Sequence, residues 1–225
     1  LLHGDNGIGK STIIETAARL LPLESGTVRH HGVVVCDGEG RRAKPINYFG
    51  LTLQRNCLVP SQTVQQRLDN IAALCNKSLD MTDIIESYKI GNRRNDRIAN
   101  LSGGQQRKVA VIGGLLPGMI SEKTRLILLD EPDSGLDDDS VECLVQHIHM
   151  LRNLGHAIVI ASHDLRLREC ATKLYDFRES KIKEVSNNLV WKVESDNQKN
   201  PFLMTKIGWK LNFTTLVSIQ TNWLA

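Results

Sequence analysis

Apolar positions follow helical spacing in some parts of the chain and form short continuous runs in others. Three stretches have apolar residues at the spacing of one helix face: residues 10–21, 64–75 and 140–154. Two short runs without alternation, residues 125–129 and 157–161, are typical of strands buried on both faces of a parallel sheet. Residues 125–129, 140–154 and 157–161 are therefore predicted to form a strand, a helix and a second strand, joined by a right-handed crossover. Such a unit is typical of the core of an α/β domain.

A β-rich section is predicted after the first helix. Residues 22–26 contain proline and glycine and end that helix, and residues 27–36 are rich in valine and strand-like. Turn-forming residues follow at 37–40. The section is expected to continue to Leu53.

Helices are predicted for the middle of the chain. Thr63 followed by Gln66 forms a capping box, in which each side chain binds the backbone N–H of the other residue. Thr82 is a candidate cap for a second helix. Residues 60–104 are therefore expected to form a helical insertion in the α/β core.

The pattern weakens after Lys183. Residues 186–201 are polar, and residues 211–225 carry no charge but many amide and hydroxyl groups, whereas a bilayer crossing needs about 20 mainly apolar residues. We expect one domain over residues 1–185 and an extension over 186–225, of which residues 211–225 form a terminal packing element. The start of a membrane segment or interfacial helix is the alternative. Because the chain opens within a strand, we also expect residues upstream of it.

Composition favours a soluble globular protein. Hydrophobic residues make up 41% of the chain, and the net charge is only +3, from 28 basic and 25 acidic residues. Two basic clusters, within residues 41–44 and 93–97, lie in turn-like stretches, so we interpret them as solvated loops and expect no nucleic-acid partner. The five cysteines form no zinc-type pattern and no secretory signal is evident, which favours buried, reduced thiols in a cytoplasmic protein.

The first candidate site is a glycine-rich phosphate loop between a strand and a helix. It consists of Gly4, Asp5, Asn6, Gly7, Ile8, Gly9, Lys10, Ser11 and Thr12. Its glycines let backbone N–H groups turn inward around a polyphosphate at the positive end of the helix. Lys10 is expected to reach the β and γ phosphates, Ser11 to offer its hydroxyl to Mg²⁺, and Thr12 to add a phosphate contact.

An acidic pair ends the first buried strand. Asp130 is placed to hold Mg²⁺, and the adjacent Glu131 can reach a water that attacks the γ-phosphate. An acidic pair alone is often a helix cap or a solvated turn. The phosphate loop upstream favours the catalytic interpretation.

The sequence Leu101-Ser102-Gly103-Gly104-Gln105 is a third motif. Ser102 and Gln105 form a capping box, so a helix is predicted over residues 105–116. Exposed N–H groups at a helix start also form an anion site. The chain thus has two predicted anion sites.

Together and in this order, the three motifs resemble those of the ATP-binding cassette (ABC) family, over residues 1–183. The resemblance implies a RecA-like P-loop NTPase core with a β-rich N-terminal section and a helical insertion, using ATP and Mg²⁺. It also implies a head-to-tail dimer in which Ser102, Gly103, Gly104 and Gln105 complete the ATP site of the partner, with Ser102 and Gly104 touching its γ-phosphate.

The resemblance assigns three further residues. Gln54 matches the glutamine that joins the core to the helical subdomain and contacts Mg²⁺ and water. Asp137 matches the loop that crosses the dimer interface, although the sequence alone makes it a helix cap. His163 matches the switch histidine that contacts the γ-phosphate, and Glu131 matches the general base or water-orienting group. No residue can be assigned the family's adenine-stacking role, and residues 117–124 are looser than usual.

An ATPase subunit or domain of a membrane transporter is the expected function within this family. Its expected partners are a second ABC ATPase subunit and a membrane-spanning permease, at the cytoplasmic, inner face of the cell membrane. The short cassette is also similar to the ATPase subunit of haem exporters. Cargo and direction of transport are not readable, because specificity lies mainly in the permease.

A soluble ABC ATPase acting in translation or DNA maintenance is the alternative. Only 46 residues separate Gln54 from Leu101, which excludes chromosome-maintenance members with long coiled coils. The chain lacks the CxxC-rich zinc modules of excision-repair members and has one cassette where translation factors have two. A degenerate cassette that binds ATP only for regulation is disfavoured, because all the catalytic residue types are present.

Overall fold

The computed structural model describes residues 1–177, except 24, 41, 42, 44–46 and 79, and the backbone of two later strands. Its helices are α1 (Lys10–Ala17), α2 (Val64–Leu74), α3 (Thr82–Ser87), α4 (Gly103–Met119), α5 (Asp138–Asn153) and α6 (Leu165–Glu169). Its strands are β1 (Leu2–His3), β2 (Thr27–His30), β3 (Val33–Asp37), β4 (Gly50–Thr52), β5 (Leu126–Asp130), β6 (Ala157–Ala161), β7 (Lys173–Asp176), β8 (Lys181–Glu184) and β9 (Val217–Gln220).

A six-stranded sheet in the order β4-β5-β6-β1-β7-β8 forms the centre of the fold, and its first five strands are parallel. Every residue of β5 is buried. Ile127 and Leu129 contribute to the core on the side of α4 and α5, while Leu126 and Leu128 contribute to the core that includes α1. This alternation follows from the period of two along a strand and confirms the predicted parallel core.

A second sheet has the order β3-β2-β9, and two of its strands, β2 and β3, lie in the predicted β-rich section. The strand-like stretch 27–36 forms two strands, because His31 and Gly32 reverse the chain between β2 and β3. Both residues have positive φ, 49° and 78°. Two such residues in a two-residue hairpin loop match the twist of the flanking strands.

Helix α1 ends at Ala17, four residues before the predicted end at Leu21. Arg19 adopts φ 65°, and its N–H and that of Leu20 donate to the carbonyls of Thr16 and Glu15. This pair of bonds is a Schellman cap formed without glycine. The missing glycine explains why the sequence pattern did not reveal the stop.

The region of the predicted insertion contains α2, α3 and two 3₁₀ turns. The capping box of Thr63 and Gln66 is confirmed, since Gln66 N–H donates to Thr63 Oγ1 at 3.1 Å and Thr63 N–H donates to Gln66 Oε1 at 3.0 Å. Thr82 is not a cap. It is the first residue of α3, and its N–H donates to Asp80.

The basic cluster, the C-terminal extension, the cysteines and a membrane segment are the remaining sequence expectations. The basic cluster at 41–44 and most of the extension at 186–225 lie outside the described residues, whereas the backbone of β9 pairs with β2. Cys57 is exposed and the other four cysteines are buried, all as free thiols. No helix in the described part of the chain is long and apolar enough to cross a membrane.

Helix α4 packs closely on β4 through small residues. A Cβ added to Gly114 would meet Thr52 Oγ1 at 2.0 Å and the Leu51 backbone at 3.2 Å, while one added to Gly113 would meet only the end of the Ile71 side chain, at 2.9 Å. The glycine at 114 therefore sets the distance between α4 and the strand that leads to Gln54.

Gly114→Ala is expected to destabilise the fold by about 2 kcal/mol or more, because overpacking against backbone outweighs the roughly 1 kcal/mol gained from helix propensity. Urea unfolding followed by circular dichroism measures the change. Gly113→Ala, one residue away on the same helix, is the matched control and is expected to be neutral or stabilising. Equal midpoints for the two variants would contradict the close contact between α4 and β4.

Candidate functional site

The carboxyl edge of the parallel sheet brings together four segments that are distant in sequence. Strand β6 is the common neighbour, because its Ala161 is in register with Leu2 of β1 and with Asp130 of β5. Thr52 of β4 is in register with Leu129. The loops that follow these four strands contain the phosphate loop, the acidic pair, His163 and Gln54.

The phosphate loop joins β1 to α1 as predicted. Gly9 stands at the N-cap of α1 with φ 107°, a conformation that L side chains rarely adopt. The buried Lys10 ammonium donates to the carbonyls of Gly4 at 2.7 Å and Asp5 at 2.8 Å. Its charge is therefore held inside the loop, beside the N-terminus of a helix, where a polyphosphate binds favourably.

Asp130, at the end of β5, is only 1% exposed. Burial raises the pKa of its carboxyl, the charges of Glu131 and Glu15 act in the same direction, and the Ser11 hydroxyl and Arg107 lower it. Neither carboxylate oxygen of Asp130 makes a hydrogen bond with standard length and angle within the described residues.

This environment fits Mg²⁺. The Asp130 carboxylate and the Ser11 hydroxyl are hard oxygen ligands of the kind that Mg²⁺ prefers. A bound cation also offsets the cost of burying a carboxylate without partners. Ser11 and Asp130 are the residues predicted to hold the metal, and their role as metal ligands remains a prediction.

Glu131 and Gln54 meet although they are 77 residues apart. Gln54 Nε2 donates to Glu131 Oε2 at 3.1 Å. Glu131 has φ 45°, which is unusual for a residue other than glycine, and its N–H donates to the Ala161 carbonyl at 2.8 Å. Strain of this kind persists only where surrounding contacts enforce it, and it concentrates at functional sites.

His163 follows β6 and is exposed at the same edge of the sheet. The neighbouring residues are fixed, since Ser162 is buried and its Oγ accepts from Asp164 N–H at 2.9 Å. Asp164 then caps α6 by accepting from Arg166 N–H. The imidazole is thus presented to solvent from an ordered turn.

The LSGGQ motif starts α4 with the predicted capping box. Ser102 N–H donates to Gln105 Oε1 at 2.9 Å, and Gln105 N–H donates to Ser102 Oγ at 3.3 Å. A groove of about 470 Å³ lies beside this helix start. It is lined by Lys89, Ile90, Ser102, Gly104, Gln105, Lys108, Gly135, Leu136 and Asp137. These residues come from the insertion, α4 and the loop before α5, and none belongs to the phosphate loop.

Three consecutive aspartates at the start of α5, here called the aspartate triplet (Asp137, Asp138 and Asp139), tie neighbouring elements together. Asp137 caps α5 by accepting from Ser140 N–H at 2.9 Å, as predicted. The triplet pairs in order with Lys108 of α4 at 2.6 Å, Arg166 of α6 at 3.4 Å, and Lys89 of the insertion. The loop predicted to cross the dimer interface is thereby anchored to three elements.

Two cationic residues of α4, Arg107 and Lys108, were missed by the sequence reasoning. Both are buried, and the Arg107 guanidinium donates to the backbone carbonyls of Leu53, after β4, and of Asp130 and Glu131, the acidic pair. A signal existed, because Arg107 is four and eight residues before the buried Val111 and Leu115. A charge at a core position of a helix requires a partner, and that requirement marks it for attention.

The sequence model of the ABC transporter family matches residues 1–134, and the chain belongs to that family. Among known proteins, it is 29% identical over 215 residues to the macrolide export ATP-binding/permease protein MacB of Shigella flexneri, covering 92% of this chain and 32% of that protein. MacB of Escherichia coli strain K12 matches to the same extent. The chain therefore spans about a third of the length of these relatives.

Solved structures confirm the predicted fold. An ATP-binding subunit of an ABC transporter aligns with a TM-score of 0.66 at 22% identity, over 82% of this chain and 77% of that one. The cassette MJ0796 aligns with a TM-score of 0.64 at 18% identity, over 81% of this chain and 83% of that one. Its structure is that of a dimer in a post-hydrolysis state bound to ADP and Pi. An archaeal ribosome recycling factor aligns with a TM-score of 0.57 at 22% identity, over 78% of this chain and 31% of that one. At these identities the likeness concerns the fold alone.

Lys108→Met is expected to raise the pKa of Asp137 from about 2 toward its ordinary value, because the hydrogen bond from Lys108 is the largest cause of the lowered pKa. Carboxyl-detected NMR titration measures it. Since the folded-state pKa is lowered, the pair stabilises the fold above about pH 4 and loses this contribution as the pH falls toward 2.

Lys89→Met is the matched control for this titration, because Lys89 pairs with Asp139. It is expected to leave the Asp137 pKa close to that of the parent. A Lys108→Met protein with an unchanged Asp137 pKa would contradict the ion pair between α4 and the aspartate triplet.

Proposed function

We propose that the chain is the ATP-hydrolysing subunit or domain of an ABC membrane transporter, catalysing ATP + H₂O to ADP + phosphate. The observation that carries this proposal is the Glu131 carboxylate, held by Gln54 at the sheet edge that also bears the phosphate loop. A carboxylate fixed beside a nucleotide-phosphate site can accept a proton from an attacking water or orient that water.

The residues of this edge have distinct roles in the proposal. Lys10 and the inward N–H groups of residues 4–12 bind the β and γ phosphates of ATP. Ser11, Asp130 and Gln54 hold Mg²⁺, which neutralises phosphate charge when bound. Glu131 takes the proton of the attacking water, and His163 contacts the γ-phosphate from the exposed turn after β6.

Head-to-tail dimerisation is the second part of the proposal. The N-terminus of α4 is a long-helix anion site with exposed Ser102 and Gly103, and its groove contains no phosphate-loop residue. An ATP held by a second ABC subunit satisfies this site, with Ser102 and Gly104 on the γ-phosphate. The cassette MJ0796 is a dimer in its solved structures, which supports the same arrangement here.

Transport is favoured over the soluble alternative by the relatives named above, which are export ATP-binding/permease proteins. Structural likeness to a ribosome recycling factor shows only that both share the fold. A permease is therefore the proposed partner, and the inner face of the cell membrane is the proposed location. The similarity to haem exporters stays a prediction that none of these names tests.

A groove next to Gln54 is a suitable contact for such a permease. It measures about 520 Å³ and lies between the loop after β4 and the helical insertion. Its lining includes Cys57, Leu58 and Pro60, which are exposed or partly exposed and offer apolar surface at the rim of the catalytic edge. Contact there would act directly on the loop that carries Gln54.

Glu131→Gln is expected to retain ATP binding and to lower turnover by a factor on the order of 10² or more, as the loss of a general base does. Asp130→Asn is the companion variant, and it is expected to weaken Mg²⁺-dependent nucleotide binding, since it removes a charged metal ligand. Calorimetry with ATP and a phosphate-release assay separate the two effects. Parental turnover in Glu131→Gln would place the base elsewhere.

ATP is expected to act as the link between two subunits. In the Glu131→Gln background, ATP and Mg²⁺ should convert monomer to dimer in light scattering, and Ser102→Arg should abolish this conversion by placing bulk at the α4 N-terminus. ATP binding to the monomer is expected to persist, because the phosphate loop is unchanged.

The dimer experiment is repeated with a second, non-identical ABC subunit if the natural pair is heterodimeric. A Ser102→Arg variant that dimerises as well as its parent would contradict the head-to-tail arrangement. The LSGGQ motif would then be only a helix cap.

A further inference from the structure

Arg107 is among the most buried charged residues of the described chain, at 3% exposure. Burial lowers the pKa of its guanidinium, and the charges of Asp133, Asp130 and Glu131 counter that effect. An arginine nevertheless remains protonated in proteins. A buried, permanent positive charge is costly unless it is hydrogen-bonded. Nε makes no hydrogen bond within the described residues, so the partners of the two Nη atoms indicate why the charge is there.

The guanidinium spans two loops of the catalytic edge. Nη1 donates to the Leu53 carbonyl at 2.7 Å and to Asn56 Oδ1 at 3.1 Å, with a longer contact to the Gln54 carbonyl at 3.4 Å. Nη2 donates to the carbonyls of Asp130 at 2.9 Å and Glu131 at 2.5 Å. One arm therefore holds the loop after β4, and the other holds the end of β5.

The second arm also acts on the strained backbone of Glu131. That residue has φ 45°, and the peptide groups on both sides of its Cα are held, since its N–H donates to the Ala161 carbonyl and its carbonyl accepts from Arg107 Nη2. A left-handed conformation of a non-glycine residue costs on the order of 1 kcal/mol and needs such contacts to persist. Arg107 thus contributes to the direction in which the Glu131 side chain points.

We propose that Arg107 is a positioning residue for ATP hydrolysis, which fixes Gln54 and Glu131 relative to each other through the two arms of its guanidinium. The inference rests on the proposed function. Arg107 itself touches the backbone of the two loops, and it acts on the reaction through the 3.1 Å contact between Gln54 and Glu131. The rigid fork of arginine is required, because a lysine ammonium is a single point of attachment.

Arg107→Lys tests the requirement for two arms. It keeps the charge but is expected to lower kcat for ATP hydrolysis at least tenfold, with KM for ATP changed less than about threefold, since the interaction acts on the chemical step rather than on binding. Arg107→Gln is expected to lower kcat at least as much. Asn56→Ala removes one side-chain partner of Nη1 and leaves the arginine in place, so a smaller drop in kcat is expected.

Arg125→Lys is the matched control for burying a lysine in place of an arginine. Arg125 is 6% exposed and stacks on Tyr48 at 3.9 Å just before β5, at the opposite end of that strand from Asp130. The Arg125→Lys variant is expected to lower the thermal midpoint as Arg107→Lys does, but to leave kcat within about twofold of the parent. Thermal unfolding and ATP-induced dimerisation in the Glu131→Gln background show whether each variant is folded and assembles.

A double-mutant cycle with Glu131→Gln decides whether Arg107 acts through that carboxylate. If it does, Arg107→Lys is expected to cause less than a twofold further loss of kcat in the Glu131→Gln background. Parental kcat in Arg107→Lys, or a full multiplicative loss in the double variant, would overturn the inference. If Arg107→Lys fails to fold, parental kcat in Asn56→Ala overturns it. Absence of ATP hydrolysis by the parent would instead overturn the proposed function.

Discussion

The parallel pairing of β4, β5, β6 and β1 is the constraint on which the candidate site depends. Parallel strands end at one edge of a sheet, and the register of Ala161 with Leu2 and Asp130 fixes their ends to within one residue. A slip of one residue in β5 would exchange the faces of Ile127 and Leu128 and bury each against the wrong core. The apolar packing of the sheet therefore determines the position of the acidic pair beside the phosphate loop.

Electrostatic contacts organise the part of the molecule that the sheet does not reach. Helix α4, helix α6 and the insertion are separate elements, and the aspartate triplet binds one cation from each. Each pair is at least partly exposed and contributes little to stability by itself. Their combined effect is geometric, because three contacts at the start of α5 restrict how α4, α6 and the insertion can move relative to the loop before α5.

The sequence was informative wherever a local pattern determines local structure. The capping boxes at Thr63 and Ser102, the buried run of β5 and the cap at Asp137 depend on spacing within a few residues, and all are confirmed. The proximity of Gln54 to Glu131 could be expected only from the family resemblance. No local rule specifies which of several parallel strands will be neighbours, so the contact required the sheet order.

The missed features have two physical origins. The end of α1 and the hairpin between β2 and β3 are local, and they were missed because Arg19 and His31 adopt a positive φ without being glycine. The role of Arg107 depends instead on contacts between segments that are distant along the chain. The spacing of Arg107 from Val111 and Leu115 indicates a core position, but the five acceptors of its guanidinium come from two distant segments and become evident only when α4 is packed on β4. Ser102 and Arg107 are five residues apart, about 7.5 Å along the helix axis. One helix therefore links the surface proposed to bind a partner's phosphate with the backbone of this chain's own Glu131. In the proposed dimer, this helix would give ATP binding at the interface a physical route to the carboxylate proposed to act on water.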